Sequence, residues 1–455
     1  MRNSGIPVRD GVLAHTPTLL CGRLLAMTRI RGFISGWRVR RATRRSTVAL
    51  TAGALALGAA TAAVGPAHAA DFYTPPAQFS ATPGAIIRSE PSPLLLQIPG
   101  LSNQWPGTAT RIMYTSRYQN GLPAAVTGTV VEPTAPWKGK GPRPTVVLGP
   151  GTIGQGDQCA GSKLMNLPVA IDPAKPSLAI NYTALEMNLL LINGVRVAIT
   201  DYIGMGTPGI HTYVNRVETG QAMLDAARAA LKVEKAPANA PIAFSGYSQG
   251  GGASASAAEL ASTYAPELNV KASYAGAPPA DLSKVINQID GTFIVGGIGY
   301  AINGLEARYP ELKSVIDQET NPRGRQALKQ LSTQCIADTG LAFGFQRTSA
   351  WTRDGKPLSA VINRHANVKK IVDEQRIGRL KPNAPVLLEG GINDDVIPYG
   401  QVAQLDRDWR AQGADVQMIS NTIPPIFPGL VVNHALPMVA TLLPATNFLL
   451  AHLNN

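Results

Sequence analysis

A serine between glycines, a late aspartate and a later histidine, in that order, give this 455-residue chain the residue types for nucleophilic acyl chemistry. The serine is Ser248, in Gly246-Tyr247-Ser248-Gln249-Gly250. A serine hydroxyl is a poor nucleophile at neutral pH, so it needs a base to take its proton and a carboxylate to orient that base. Residues 241–245 before it read as a short buried strand. Residues 251–262 after it, nearly all Gly, Ala and Ser, read as a helix of small residues. Strand, sharp turn and helix make a nucleophile elbow, which lifts the hydroxyl clear of a sheet at the positive end of a helix.

Chain order filters the partners, because in such a fold the acid follows the serine and the histidine follows the acid. Of six histidines, only His434 and His452 follow the late carboxylates. His434 is expected in a loop just before a closing apolar helix over 435–453, and His452 on that helix's surface. The acid should follow the apolar strand 385–388, in Glu389-Gly-Gly-Ile-Asn-Asp394-Asp395-Val-Ile-Pro398. The pattern G-x-x-D-x-x-apolar-P selects Asp394. Asp395 is the rival, with a turn or helix cap as its alternative role. A developing oxyanion needs two backbone N–H donors. Gln249 should supply one and the loop after Leu148 the other, with Thr152 expected and Gly151 or Gly154 as alternates. That loop, Gly149-Pro-Gly-Thr-Ile-Gly154, also matches G-x-G-x-x-G. No helix signal follows it and Pro150 lacks an N–H, so no dinucleotide site is expected.

The positioning elements read as strands alternating with helices. Residues 111–119 and 124–132 flank an Asn120-Gly121 turn and predict a hairpin. Apolar runs at 144–148, 195–200, 241–245, 270–276 and 385–388 predict buried parallel strands, with a helix over 217–233. Residues 70–107, rich in proline, read as an extended arm. Between residues 280 and 381 the pattern turns helical, at 282–289, 311–318 and 324–332. An apolar glycine-rich run at 293–302 reads either as the core of an inserted cap or as a wall facing substrate.

Ten arginines and one aspartate precede an uncharged apolar stretch at 46–69 that ends in Ala67-His68-Ala69. This is an export leader, with cleavage expected near Ala69, Met27 as an alternative start, and Arg44-Arg45 pointing to twin-arginine or Sec export. The leader carries most of the net charge of +12, leaving about +3 on the mature chain. The basicity therefore gives no reason to expect a nucleic-acid partner. No later run reaches the length that would argue for a membrane span. Cys21 leaves with the leader. Cys159 and Cys335 remain, as one disulfide or as two buried thiols. Their spacing is unlike a zinc site, and no metal or cofactor is expected.

Taken together, these segments resemble the secretory lipases of the α/β-hydrolase superfamily, the group that includes fungal lipase A-type enzymes. The likeness rests on Gly149-Pro-Gly-Thr-Ile-Gly with Cys159-Ala160, Asp201-Tyr-Ile-Gly-Met-Gly-Thr-Pro-Gly209, and Gly246-Tyr-Ser-Gln-Gly-Gly251. Tyr274-Ala-Gly-Ala-Pro-Pro-Ala-Asp-Leu282 and the Asp394 and His434 segments extend it. The resemblance implies an α/β-hydrolase fold with a mostly parallel sheet. The core would run over 70–280 and 381–455, with a helical cap over 281–380. It also implies a Cys159–Cys335 bond and hydrolysis of triacylglycerols or simpler esters. The family often has His where Pro150 stands, which costs a side chain but no backbone donor at Thr152. The expected protein is a secreted monomeric ester hydrolase with triad Ser248, Asp394 and His434, touching lipid interfaces transiently. The alternatives are an acyltransferase and a non-catalytic binding protein.

Overall fold

The computed structural model describes residues 71–94, 106–165, 169–171, 178–180 and 182–455. The leader, its cleavage site, Met27 and the arginine pair lie outside the described residues, as does part of the proline-rich arm. In chain order the strands are β1 (Ile86–Ser92), β2 (Gly107–Arg117), β3 (Pro123–Pro133) and β4 (Thr145–Gly149). A separate antiparallel pair follows, β5 (Val169–Ile171) and β6 (Leu178–Ile180). Then come β7 (Arg196–Thr200), β8 (Ile242–Tyr247), β9 (Val270–Gly276), β10 (Val386–Gly391) and β11 (Val416–Asn421). Nine of them form one sheet in the order β1-β2-β3-β7-β4-β8-β9-β10-β11. The run from β7 to β11 is parallel, and β1, β2 and β3 are antiparallel to their neighbours. This is the mostly parallel sheet of an α/β hydrolase.

Both faces of the parallel strands are buried, so their sequences are continuous apolar runs rather than alternating ones. Side chains still point alternately to the two faces. Val147, Ala198 and Phe244 pack under α2 (Arg216–Val233) and α3 (Gln249–Tyr264), which follow α1 (Thr183–Ile192) in the chain. Val146, Leu148, Val197 and Leu387 face the opposite side. There they meet Met187, Leu190 and Leu191 of α1, with Ala445, Leu449 and Leu453 near the C-terminus.

Seven helices lie between β9 and β10. They are α4 (Leu282–Ile289), α5 (Gly296–Glu306), α6 (Leu312–Glu319), α7 (Pro322–Leu331), α8 (Ile336–Phe343), α9 (Leu358–Arg364) and α10 (Ala366–Glu374). The apolar run at 293–302 becomes the start of α5. Its Tyr300 is fully buried among Tyr213 and Thr339. After β10 come α11 (Tyr399–Ala411) and α12 (Val432–Leu453).

Two sequence expectations change here. The closing helix starts at Val432, so His434 stands in its first turn rather than in a preceding loop. The cause is at Val431, which takes φ 67° and turns the chain into the helix early. In addition, α12 is long and apolar enough to cross a membrane, among the described residues the only helix that is. In the sequence its hydropathy is interrupted by Pro437, Pro444 and the polar Asn433, His434 and Asn447. The helix nevertheless lays one face on the sheet through Ala445, Leu449 and Leu453.

Cys159 and Cys335 are joined by a disulfide and both are fully buried. The bond ties a short turn after β4 to the start of α8. Around it, Gln155 N–H and Gly156 N–H donate to the Gln334 carbonyl at 3.0 and 3.3 Å, and Ile336 N–H donates to the Ile153 carbonyl at 2.9 Å. The cross-link closes a loop of 176 residues, and such a closure removes about 3–5 kcal/mol of unfolded-state entropy. The double variant Cys159→Ser/Cys335→Ser is therefore expected to melt on the order of 5–10 °C lower in calorimetry. An unchanged Tm would show that the backbone pairing alone holds the junction.

Candidate active site

The elbow is built from close backbone approach. Ser248 sits at φ 61° and ψ −124°, between β8 and α3, a strained conformation for a residue with a side chain. A Cβ on Gly246 would lie 2.3 Å from the Gly250 carbonyl oxygen, and one on Gly250 only 1.9 Å from the Gly149 oxygen. Glycine at both positions therefore lets β8, α3 and the β4 loop meet. The Ser248 N–H donates to the Gly276 carbonyl at 2.9 Å, which fixes the turn against β9.

Asp394 and His434 meet. The His434 Nδ1–H donates to Asp394 Oδ2 at 2.8 Å, and both side chains are almost wholly buried. The other carboxylate oxygen, Oδ1, accepts from Val396 N–H and Ile397 N–H, each at 2.8 Å. The turn that Pro398 closes thus holds the carboxylate at two points, and His434 holds it at a third. Burial works against a charged imidazole, but the charge and hydrogen bond of Asp394, with Glu389 and Asp395 behind, outweigh it. His434 therefore sits above the usual imidazole range. Its Nε2 is buried and has no hydrogen-bond partner among the described residues, so it is free to accept a proton.

Asp395 does something else. Its Oδ2 accepts from Gly429 N–H at 2.9 Å and Val431 N–H at 3.1 Å, pinning the segment that leads into α12. Asn433 adds to this by accepting the Ile426 N–H at 2.6 Å. From the other side, the Tyr247 hydroxyl donates to the His434 carbonyl at 2.8 Å, and the two rings lie 5.0 Å apart. Only the cap role of Asp395 was foreseen. Tyr247 stands in the G-x-S-x-G motif itself, whose spacing says nothing of where its hydroxyl goes.

Thr152 and Gln249 border the same cavity as Ser248. Among the described residues, neither backbone N–H has a protein acceptor. Each side chain is tethered. Thr152 Oγ1 and the Tyr213 hydroxyl are 2.7 Å apart. Gln249 Nε2 donates to His211 Nε2 at 2.9 Å. Burial pushes His211 down to about 4, so it is neutral. With its Nδ1–H donating to the Ile203 carbonyl at 3.1 Å, its Nε2 is left as the acceptor. Pro150 leaves the loop's support intact, since its carbonyl accepts from the Tyr202 hydroxyl at 2.9 Å.

The sequence profile of the secretory lipase family matches residues 172–442, more than half of the chain. The chain belongs to the secretory lipase family. Among relatives, it is 30% identical over 368 residues to a protein of Mycobacterium tuberculosis named a probable inactive lipase, covering 76% of this chain and 75% of that one. It is 32% identical over 248 residues to a secreted triacylglycerol lipase of Malassezia furfur. That match spans 54% of this chain and about half, 52%, of the relative. The structure of Candida antarctica lipase A in its closed state superposes with a TM-score of 0.70 at 22% identity, over 82% of this chain and 83% of that one. The shared fold is that of lipase α/β hydrolases, and membership of the secretory lipase family makes this chain a lipase-type ester hydrolase by descent.

Proposed function

We propose that this secretory lipase is a secreted serine ester hydrolase acting on acyl esters, triacylglycerols among them. The observation that carries the reading is the buried Asp394–His434 pair, its Nε2 without a partner among the described residues, at the same C-terminal end of the parallel strands as the elbow serine. Hydrogen bonds between serine and base are often long in unliganded enzymes and tighten with substrate. His434 Nε2 takes the Ser248 proton as Oγ bonds to the ester carbonyl carbon, and Asp394 steadies the imidazolium. The Thr152 and Gln249 N–H groups receive the oxyanion. The alkoxide leaves with the proton from His434. Water then repeats the sequence on the acyl-enzyme, releasing the acid and restoring Ser248.

The cavity at Ser248 supports an acyl substrate. It is lined by Leu282, Val285, Ile286 and Ile289 of α4 and by Ile298 and Ala301 of α5. Its free space is about 40 Å³, room for a few waters. A second apolar cavity of about 90 Å³ shares Leu282, Ile286, Ile298 and Ala301 with it. The helices between β9 and β10 would thus act as a cap, and these four side chains as a thin wall that a longer acyl chain displaces. Thickening that wall should discriminate by chain length. Ala301→Leu is expected to lower the ratio of dodecanoyl to butanoyl ester kcat/KM about tenfold. An unchanged ratio in a variant with wild-type Tm would place the acyl chain elsewhere.

The leader read from the sequence and the relative named as secreted support export. The relative named probable inactive favours a second reading, a hydrolase fold kept for binding. Hydrolysis of a p-nitrophenyl ester series by residues 70–455, with Ser248→Ala beside it, separates the two. Equal rates in both proteins would leave only the binding role.

A further inference from the structure

Glu389 on β10 is fully buried, and neither carboxyl oxygen has a hydrogen-bond partner among the described residues. Strand alternation puts its side chain on the face of Leu387 and Gly391, beneath α12. A Cβ on Gly391 would lie 3.1 Å from Pro437 Cγ and 3.4 Å from Asp394 Cβ, so the start of α12 closes directly over this end of the strand. In the sheet, Glu389 pairs with Gly276, and Gly276 with Tyr247. The missing side chain at Gly276 is filled by its neighbours: a Cβ there would lie 2.4 Å from both Tyr247 Cδ2 and the Tyr274 hydroxyl. The row therefore places Glu389 and Tyr247 on either side of a glycine, and Tyr247 donates to the His434 carbonyl.

The titratable groups around it are few. Tyr247 comes from β8, Tyr274 from β9, Asp394 and Asp395 from the turn after β10, and His434 from α12. On α1, Glu186 reaches Tyr274 and hydrogen-bonds Ser245. Strand β11 brings no titratable side chain. Burial, then the charge of Asp394, pushes the Glu389 carboxyl up to about 8, with His434 pulling the other way. A buried carboxyl with no donor is costly where an apolar side chain would pack.

We propose that Glu389 is a positioning residue that sets the pH at which His434 exchanges its proton. Protonated, it leaves Asp394 as the main charge on the imidazole. Ionised, it adds a second negative charge, favours the imidazolium, and so makes His434 a stronger base that needs a higher pH to be free. The two groups titrate as a coupled pair. The proposal rests on His434 as the catalytic base, but its test does not need turnover.

The experiment is an NMR titration of His434 in wild type and Glu389→Gln, with Tm followed across the same pH range. Glu389→Gln should remove the upper step of the His434 curve, where Glu389 ionises near pH 8, so that the apparent midpoint falls and the acid limb of kcat/KM moves down with it. The Tm sign is also set. A carboxyl whose folded-state pKa is raised costs stability as pH climbs above its unfolded value, so the variant's Tm should gain on wild type as pH rises from about 4.5 to about 8 and keep that gain above it. A His434 midpoint unchanged in a folded variant, with parallel Tm curves, overturns the proposal. Should the variant fail to fold, the wild-type curve alone decides: coupling gives His434 a second step near pH 8, and a single simple step overturns the proposal. If the NMR shift appears but no ester is cleaved, the coupling stands and the hydrolase reading falls.

Discussion

Ser248→Ala is expected to lower ester hydrolysis by roughly 10⁴–10⁶ in kcat while leaving the fold intact. Among the described residues the Ser248 hydroxyl has no hydrogen-bond partner, so its removal orphans no buried partner there. Alanine meets the same backbone strain at φ 61° that serine already bears. The Ser248 N–H contact to Gly276 and the free N–H groups of Thr152 and Gln249 survive the change. Whatever rate remains is the contribution of those donors and of substrate positioning. Calorimetry should show a Tm close to wild type, and substrate binding should weaken far less than turnover.

Asp394→Asn should cost roughly 10³–10⁴ in kcat through the tautomer it imposes. The Val396 and Ile397 N–H groups both need an acceptor, so the asparagine oxygen stays with them. Its amide NH₂ then faces His434 Nδ1, which must accept rather than donate. The imidazole proton moves to Nε2, the atom that has to receive the serine proton. The same change lowers the proton affinity of His434, because Asp394 is the main group raising it. The remaining activity should therefore keep an acid limb shifted to lower pH. Asp395→Asn is the control, since its oxygen can still accept from Gly429 and Val431. A loss at Asp395 as large as that at Asp394 would reverse the assignment of the acid.

The centre of the fold was legible because central parallel strands must be apolar on both faces, which is why β4, β7, β8, β9 and β10 stand out as runs. Its edges were not. β1 lies in the stretch read as an arm, since Pro91 and four polar residues break its pattern, and β11, Val-Gln-Met-Ile-Ser-Asn, is half exposed. Edge strands lack the double burial that writes a signal into sequence. Chain order and turn chemistry brought Asp394 and His434 forward, and the structure places them together. The helical start at Val432 escaped because it rests on two hydrogen bonds that Gly429 N–H and Val431 N–H donate to Asp395, 36 residues away for Val431. Glu389 did leave a mark: it prolongs the apolar run Val386-Leu-Leu388, where a carboxyl has no surface reason to stand.

The most direct measurement is intact-mass and peptide analysis of the 70–455 chain after treatment with a fluorophosphonate. One adduct per chain is expected, on the peptide carrying Ser248. Its rate should collapse in Asp394→Asn, and it should be absent in Ser248→Ala. No adduct, or one on a different residue, would contradict a triad built on Ser248 and leave this secretory-lipase chain as a hydrolase fold used for something other than hydrolysis.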